Sequence, residues 1–138
     1  MIDIDYKHEL QKIYDFEIEV SSIADCRRVM SVINEQEDML ILIEENVKKD
    51  IRSVESQYIT NRTSIRKKYD SNKSGILNSL KGPFANNRVK EMKKLENIRD
   101  ESLEYYYEIK FTAENLLIQT REIKENLQTL MKEMLGNF

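Results

Sequence analysis

Two long stretches of this chain place apolar residues at alternating three- and four-residue steps. The first runs Cys26, Val29, Ile33, Gln36, Leu40, Ile43, Val47 and resumes as Ile51, Val54, Tyr58, Asn61, Ile65, Tyr69. The second runs Arg99, Ser102, Tyr106, Ile109, Ala113, Leu116, Thr120, Ile123, Leu127, Leu130, Met134, with Met92 and Leu95 extending it backwards. Such spacing keeps one face of a helix apolar and is the signature of heptad packing. It predicts a long helix over 22–70 and another over 86–135. In the first seam two four-residue steps adjoin at Val47, a stutter that locally relaxes left-handed supercoiling. Each helix is long enough, roughly 75 Å at 1.5 Å per residue, to need a partner along its length.

The boundaries have their own signals. Ser22 with Asp25 resembles a capping box, with Asp in place of the usual Glu or Gln. Gly136 and Asn137 suit a helix C-terminus, and Lys132 in the last turns complements the helix dipole. Between the helices, 71–85 contains Gly75, Gly82 and Pro83. Ile76, Leu77 and Leu80 read as a short helical turn, ended at Gly82 and blocked from continuing by Pro83. Residues 71–85 are therefore the expected tip of an antiparallel hairpin within a single domain, 1–138.

The first twenty residues, an N-terminal arm, carry two competing patterns. Tyr14, Phe16, Ile18 and Val20 alternate with Asp15, Glu17 and Glu19, which suits a half-buried strand that needs a partner. A short helix from about Tyr6, packed on the rest, fits as well.

A turn centred near Ser79 pairs positions whose numbers add to about 158. The run Met39, Leu40, Ile41, Leu42, Ile43 then lies opposite Leu116, Leu117 and Ile118. Five successive apolar residues cannot all face one neighbouring helix. This zone is covered either by the N-terminal arm or by a second copy of the chain, with Met39, Ile41, Leu42, Leu117 and Ile118 as the candidate dimer interface. The expected fold is all-α: an elongated antiparallel helical hairpin or coiled coil, forming a four-helix section on homodimerisation.

Composition agrees. The chain of 138 residues has three glycines, one proline and 34% charged residues, as long helices require. Its net charge of −3 conceals a division. Met1–Gln57 hold seven basic and fourteen acidic residues, and Glu96–Phe138 hold five and nine. Between them, Tyr58–Leu95 hold ten basic residues, Arg62, Arg66, Lys67, Lys68, Lys73, Lys81, Arg88, Lys90, Lys93 and Lys94, against Asp70 and Glu91. Concentrated like charge repels itself and often marks a contact surface. An acidic protein partner, a nucleic acid or an anionic membrane surface would satisfy it; so would the acidic part of another copy. For nucleic acid, Tyr58, Tyr69 and Phe84 could add stacking, but the two tyrosines lie on the apolar seam, where core packing is their simpler task.

Catalytic chemistry finds little support. There is no Gly-rich phosphate loop and no zinc-finger spacing. His8, the one histidine, has no neighbours that would make it a general base. Cys26, the one cysteine, lies on the seam as a small buried hydrophobe. Glu44-Glu45 and Glu104 with Glu108 are paired carboxylates without the Glu-x-x-His companions of a di-metal bundle. Tyr105, Tyr106 and Tyr107 suit a partly buried interface. Neither cofactor nor metal is expected. The lone cysteine, the missing leader pattern and the missing long apolar run predict a cytoplasmic protein without a transmembrane segment. The functional expectation is a non-catalytic scaffold or adaptor for protein assembly; the alternative is a sequence-nonspecific nucleic-acid-binding accessory acting through the basic tip.

Overall fold

The computed structural model describes residues 4–70 and 81–136, with side chains in the second stretch from Asn86 onward. The described chain forms three helices: α1 (Tyr6–Tyr14), α2 (Ile23–Asp70) and α3 (Lys81–Gly136). It is all-α, with no strand among the described residues. Helices α2 and α3 pack closely, as a hairpin would. Contacts divide the chain into two units: unit 1 comprises 1–48 and 108–138, and unit 2 comprises 49–107. The division in α2 falls at the stutter, between Val47 and Ile51.

Unit 1 contains three helical pieces around a closed core. Cys26, Leu40, Ile43, Val47 and Ala113 are fully buried, as are Val29, Ile33, Ile109, Leu116, Leu127 and Thr120 to within a few per cent. These are the seam positions of the two heptad patterns. Helix α1 supplies the third side. Its Tyr6, Leu10 and Ile13 are buried, at the three- and four-residue spacing of one helical face. Leu10 shares a cleft with Ile109, Thr112 and Leu116 of α3, and Ile13 shares another with Val32, Gln36 and Met39 of α2.

Asp5 caps α1, accepting a hydrogen bond from the His8 backbone N–H at 3.2 Å. The connector 15–22 is not a strand. Phe16 and Val20 pack against the cluster of Val29, Ile33 and Leu127, while Tyr14 and Ile18 face outward. The period-two pattern is thus spent on a non-helical segment lying on helices, and the helical reading of the arm from Tyr6 holds.

The cap of α2 follows the predicted box with a shift of one residue. The Asp25 N–H donates to Ser22 Oγ at 3.1 Å. The Asp25 carboxylate reaches past Ser22 to accept from both the N–H and Oγ of Ser21, at 3.1 and 2.8 Å. Those two bonds, helped by the Arg28 guanidinium, lower the Asp25 pKa from 3.8 to about 2.

Unit 2 contains the remaining lengths of α2 and α3. Its seam is thinner: Ile51 is buried, but Val54, Tyr58, Asn61, Ile65, Leu95 and Tyr106 are only half-buried; beside the seam, Ile98 is 54% exposed. Helix α3 begins at Lys81 rather than at 86. Pro83 therefore lies in its first turn, where the missing N–H was an unpaired donor in any case. The expected turn through Ile76 and Leu80 lies outside the described residues.

The pairing rule from the sequence holds within each unit. In unit 1, Glu37 receives Arg121 and Lys124, each at 3.4 Å. In unit 2, Arg99 stacks on the Tyr58 ring at 4.2 Å and Lys68 meets Glu91 at 2.9 Å. Each contact joins an early position of α2 to a late one of α3, or the reverse, so the helices run antiparallel.

Candidate functional site: the basic unit and its open groove

The basic residues singled out in the sequence are placed by two antiparallel helices of unit 2. Arg62, Arg66, Lys67 and Lys68 follow one another around the last turns of α2. Arg88, Lys90, Lys93 and Lys94 do the same on α3. Arg66, Lys67, Lys90, Lys93 and Lys94 are exposed, and none has an ion pair among the described residues; Arg62 and Arg88 are half-buried. The Arg62 Nε is buried with no hydrogen-bond partner there. Lys73 and the side chain of Lys81 lie outside the described residues.

Lys68 is different from its neighbours. Its ammonium donates to Glu91 Oε1 at 2.9 Å and lies 5.4 Å from the Tyr69 ring centre. That bond raises the Lys68 pKa and holds the Glu91 carboxyl below the usual carboxylate range, with the Tyr69 hydroxyl adding to the second effect. Desolvation pushes the Tyr69 phenol up. Glu91 is one of only two acids in the basic stretch, and it is already engaged.

One face of this unit is a groove. Its two adjoining parts are lined by Asn61, Ser64, Ile65 and Lys68 with Glu91, Lys94, Leu95 and Ile98, and by Val54, Gln57 and Tyr58 with Arg99 and Ser102. The floor is the apolar seam, the stack of Arg99 on Tyr58 closes part of it, and the charged margin is mostly cationic. Arg99, a polar intruder by sequence pattern, also pairs with Asp100 at 3.0 Å. Its stacking partner was legible, since the pairing rule sets position 99 opposite position 58. Glu37 with Arg121 was legible by the same rule.

The five residues expected at a dimer interface differ in exposure. Leu117 is buried inside unit 1, Ile118 is 58% exposed, and Met39, Ile41 and Leu42 are half-buried, Met39 beside Ile13 and Phe16 of the arm. The arm therefore supplies at least part of the cover that this zone demanded. Elsewhere in unit 1, Phe111 is 66% exposed.

Other chemistry is not assembled. Among the described residues no three His, Cys, Asp or Glu side chains group as metal ligands, and no helix is long and apolar enough to cross a membrane. His8 is exposed and Cys26 buried. No protein-family model, curated protein or solved structure matches this chain.

Proposed function

We propose that the chain is a non-catalytic adaptor of coiled-coil type that binds another protein through unit 2. One observation carries the reading: unit 2 exposes both aliphatic side chains and cations that have no ion pair among the described residues. Ile59, Val89 and Ile98 are 62%, 63% and 54% exposed in the same unit as Arg66, Lys67, Lys90, Lys93 and Lys94. A phosphate backbone rewards the cations but has nothing to offer aliphatic surface. A protein partner rewards both, through an apolar centre and a charged rim.

A second reading is a sequence-nonspecific nucleic-acid accessory. It draws on the ten-to-two excess of basic residues across 58–95. Self-association through the exposed Phe111 and Ile118 of unit 1 is compatible with either reading.

Photo-crosslinking from Val89 and Lys93 of the full chain in cells separates these readings. Adducts removed by protease and untouched by nuclease support the adaptor. Adducts removed by nuclease move the protein to the second reading, and the absence of adducts from both positions overturns the two together. Sedimentation of the purified chain, with Ile118→Glu as the comparison, tests self-association.

A further inference from the structure

The two units carry opposite charge. Unit 1 holds seventeen acidic and nine basic residues, net −8, and unit 2 holds eight acidic and thirteen basic, net +5. Each also exposes apolar side chains on its own stretch of α3: Phe111 and Ile118 in unit 1, Ile98 in unit 2. Units belonging to different copies of the chain therefore complement each other in both charge and apolar surface.

Spacing makes the match specific. In unit 1, Phe111, Asn115, Ile118, Glu122 and Glu125 step by four, three, four and three along one face of α3, and all five are exposed. At the flanks of that face, Glu108 adds an acid, Lys110 lies 4.0 Å from Glu114, and Arg121 pairs with Glu37 at 3.4 Å. In unit 2, α3 followed backwards presents Tyr105, Glu101, Ile98, Lys94 and, at the edge, Lys90, in steps of four, three, four and four, again all exposed. Ile98 and Lys94 of this series line the groove. The remaining charged groups of the lining are engaged, Lys68 with Glu91 and Arg99 with Asp100.

Laid antiparallel, the two series set Phe111 against Tyr105, Asn115 against Glu101, Ile118 against Ile98 and Glu122 against Lys94, with Glu125 beside Lys90. Aromatic meets aromatic, isoleucine meets isoleucine, each carboxylate of the unit 1 face meets a lysine, and Glu101 meets an amide that can donate to it. Pairing the unit 1 face with itself offers Glu122 and Glu125 no cation among its five positions. We infer that this face of one copy docks along the α3 side of the unit 2 groove of another copy, in the antiparallel register. The contact joins two different surfaces, so every copy offers one of each. This rests on the reading that unit 2 binds protein, and it names a second copy of the chain as that protein.

The test is sedimentation of the purified full chain over a range of concentrations. The unaltered chain should associate. Ile98→Glu and Ile118→Glu should each weaken association at least about tenfold while the far-ultraviolet circular dichroism stays helical. Mixing those two variants should restore a 1:1 complex, because one brings an intact unit 1 face and the other an intact groove. Lys94→Glu and Glu122→Lys should each weaken association, and the two in one chain should recover it. Glu45→Lys, at an exposed position of unit 1 on α2, changes the charge as much as Glu122→Lys and should leave association unchanged. A monomeric unaltered chain, association that survives Ile98→Glu, a mixture that stays unassembled, no recovery in the charge exchange, or an equal loss with Glu45→Lys overturns the inference. If protease-sensitive adducts of Val89 or Lys93 with other proteins persist in any of those cases, the adaptor reading stands and only the second copy is wrong. If the adducts are nuclease-sensitive, both fail.

Discussion

Units 1 and 2 are built from the same two helices with the same heptad spacing, yet only unit 1 has a closed core. Leu40, Ile43 and Val47 are at 0% exposure, whereas the seam residues Val54, Tyr58, Ile65 and Leu95 of unit 2 are only half-buried. The spacing of apolar residues does not explain the difference, because it continues through both. A third helical element does. Two helices shield only the strip where they touch, and the flanks of that strip stay wet until another surface covers them. Unit 1 has α1 and the connector to do this. Seam composition adds to the contrast only in degree: unit 1 has Gln36 and Thr120 on its seam, and unit 2 has Asn61, Arg99 and Ser102.

The most severe way to probe the contrast is to hollow each seam. Leu40→Ala should destabilise unit 1 by about 3 kcal/mol, since a large side chain leaves a cavity in a closed core. Urea unfolding followed by amide exchange of peptides from each unit would read it. A loss below about 1 kcal/mol would mean that the core of unit 1 is not closed as described.

Leu10→Ala tests whether α1 is the cause. It should cost about 2 kcal/mol and raise exchange in Ile109–Leu116, leaving peptides of unit 2 unchanged. Equal effects in both units would remove α1 as the explanation.

A smaller effect, about 1 kcal/mol, is expected for Ser22→Ala, which removes the acceptor for the Asp25 N–H. Asp25 adds a pH dependence of known sign. Its pKa is depressed in the folded chain, so its contribution is complete above the unfolded value of 3.8 and is lost as pH falls through about 2. Asp25→Asn should flatten the stability profile across that window; thermal melts between pH 5 and 2 would show it.

The smallest effect belongs to Ile98→Ala, within about 0.5 kcal/mol, because the side chain is already more than half in water. A large loss there would show that unit 2 encloses more than its exposure suggests.

Much of this was legible in the sequence. The two seams named most of the buried positions of unit 1, and the contacts of Glu37 with Arg121 and of Tyr58 with Arg99 agree with the rule that paired positions add to about 158. What escaped has physical reasons. Residues 14–20 alternate as a strand does, but alternation records only that one side of a segment is buried; Phe16 and Val20 satisfy it against helices. The start of α3 was set too late because proline was read as a barrier, although in a first turn it removes no bond. Heptad spacing also could not say that unit 2 is open, since periodicity gives the direction in which a side chain points and not what lies beyond it. The groove needed three-dimensional neighbours: Lys68 and Lys94 are twenty-six positions apart and share a margin only because the helices are antiparallel.

Cys26 gives the contrast a built-in readout. It is the chain's single thiol, and it is wholly buried at the start of α2, inside unit 1. A thiol-specific reagent can therefore modify the folded chain only when that end of unit 1 opens, so the labelling rate measures the opening without any engineered probe. Leu10→Ala should speed labelling and Ile98→Ala should not, which turns a residue with no apparent chemistry into a gauge of how independently the two units breathe.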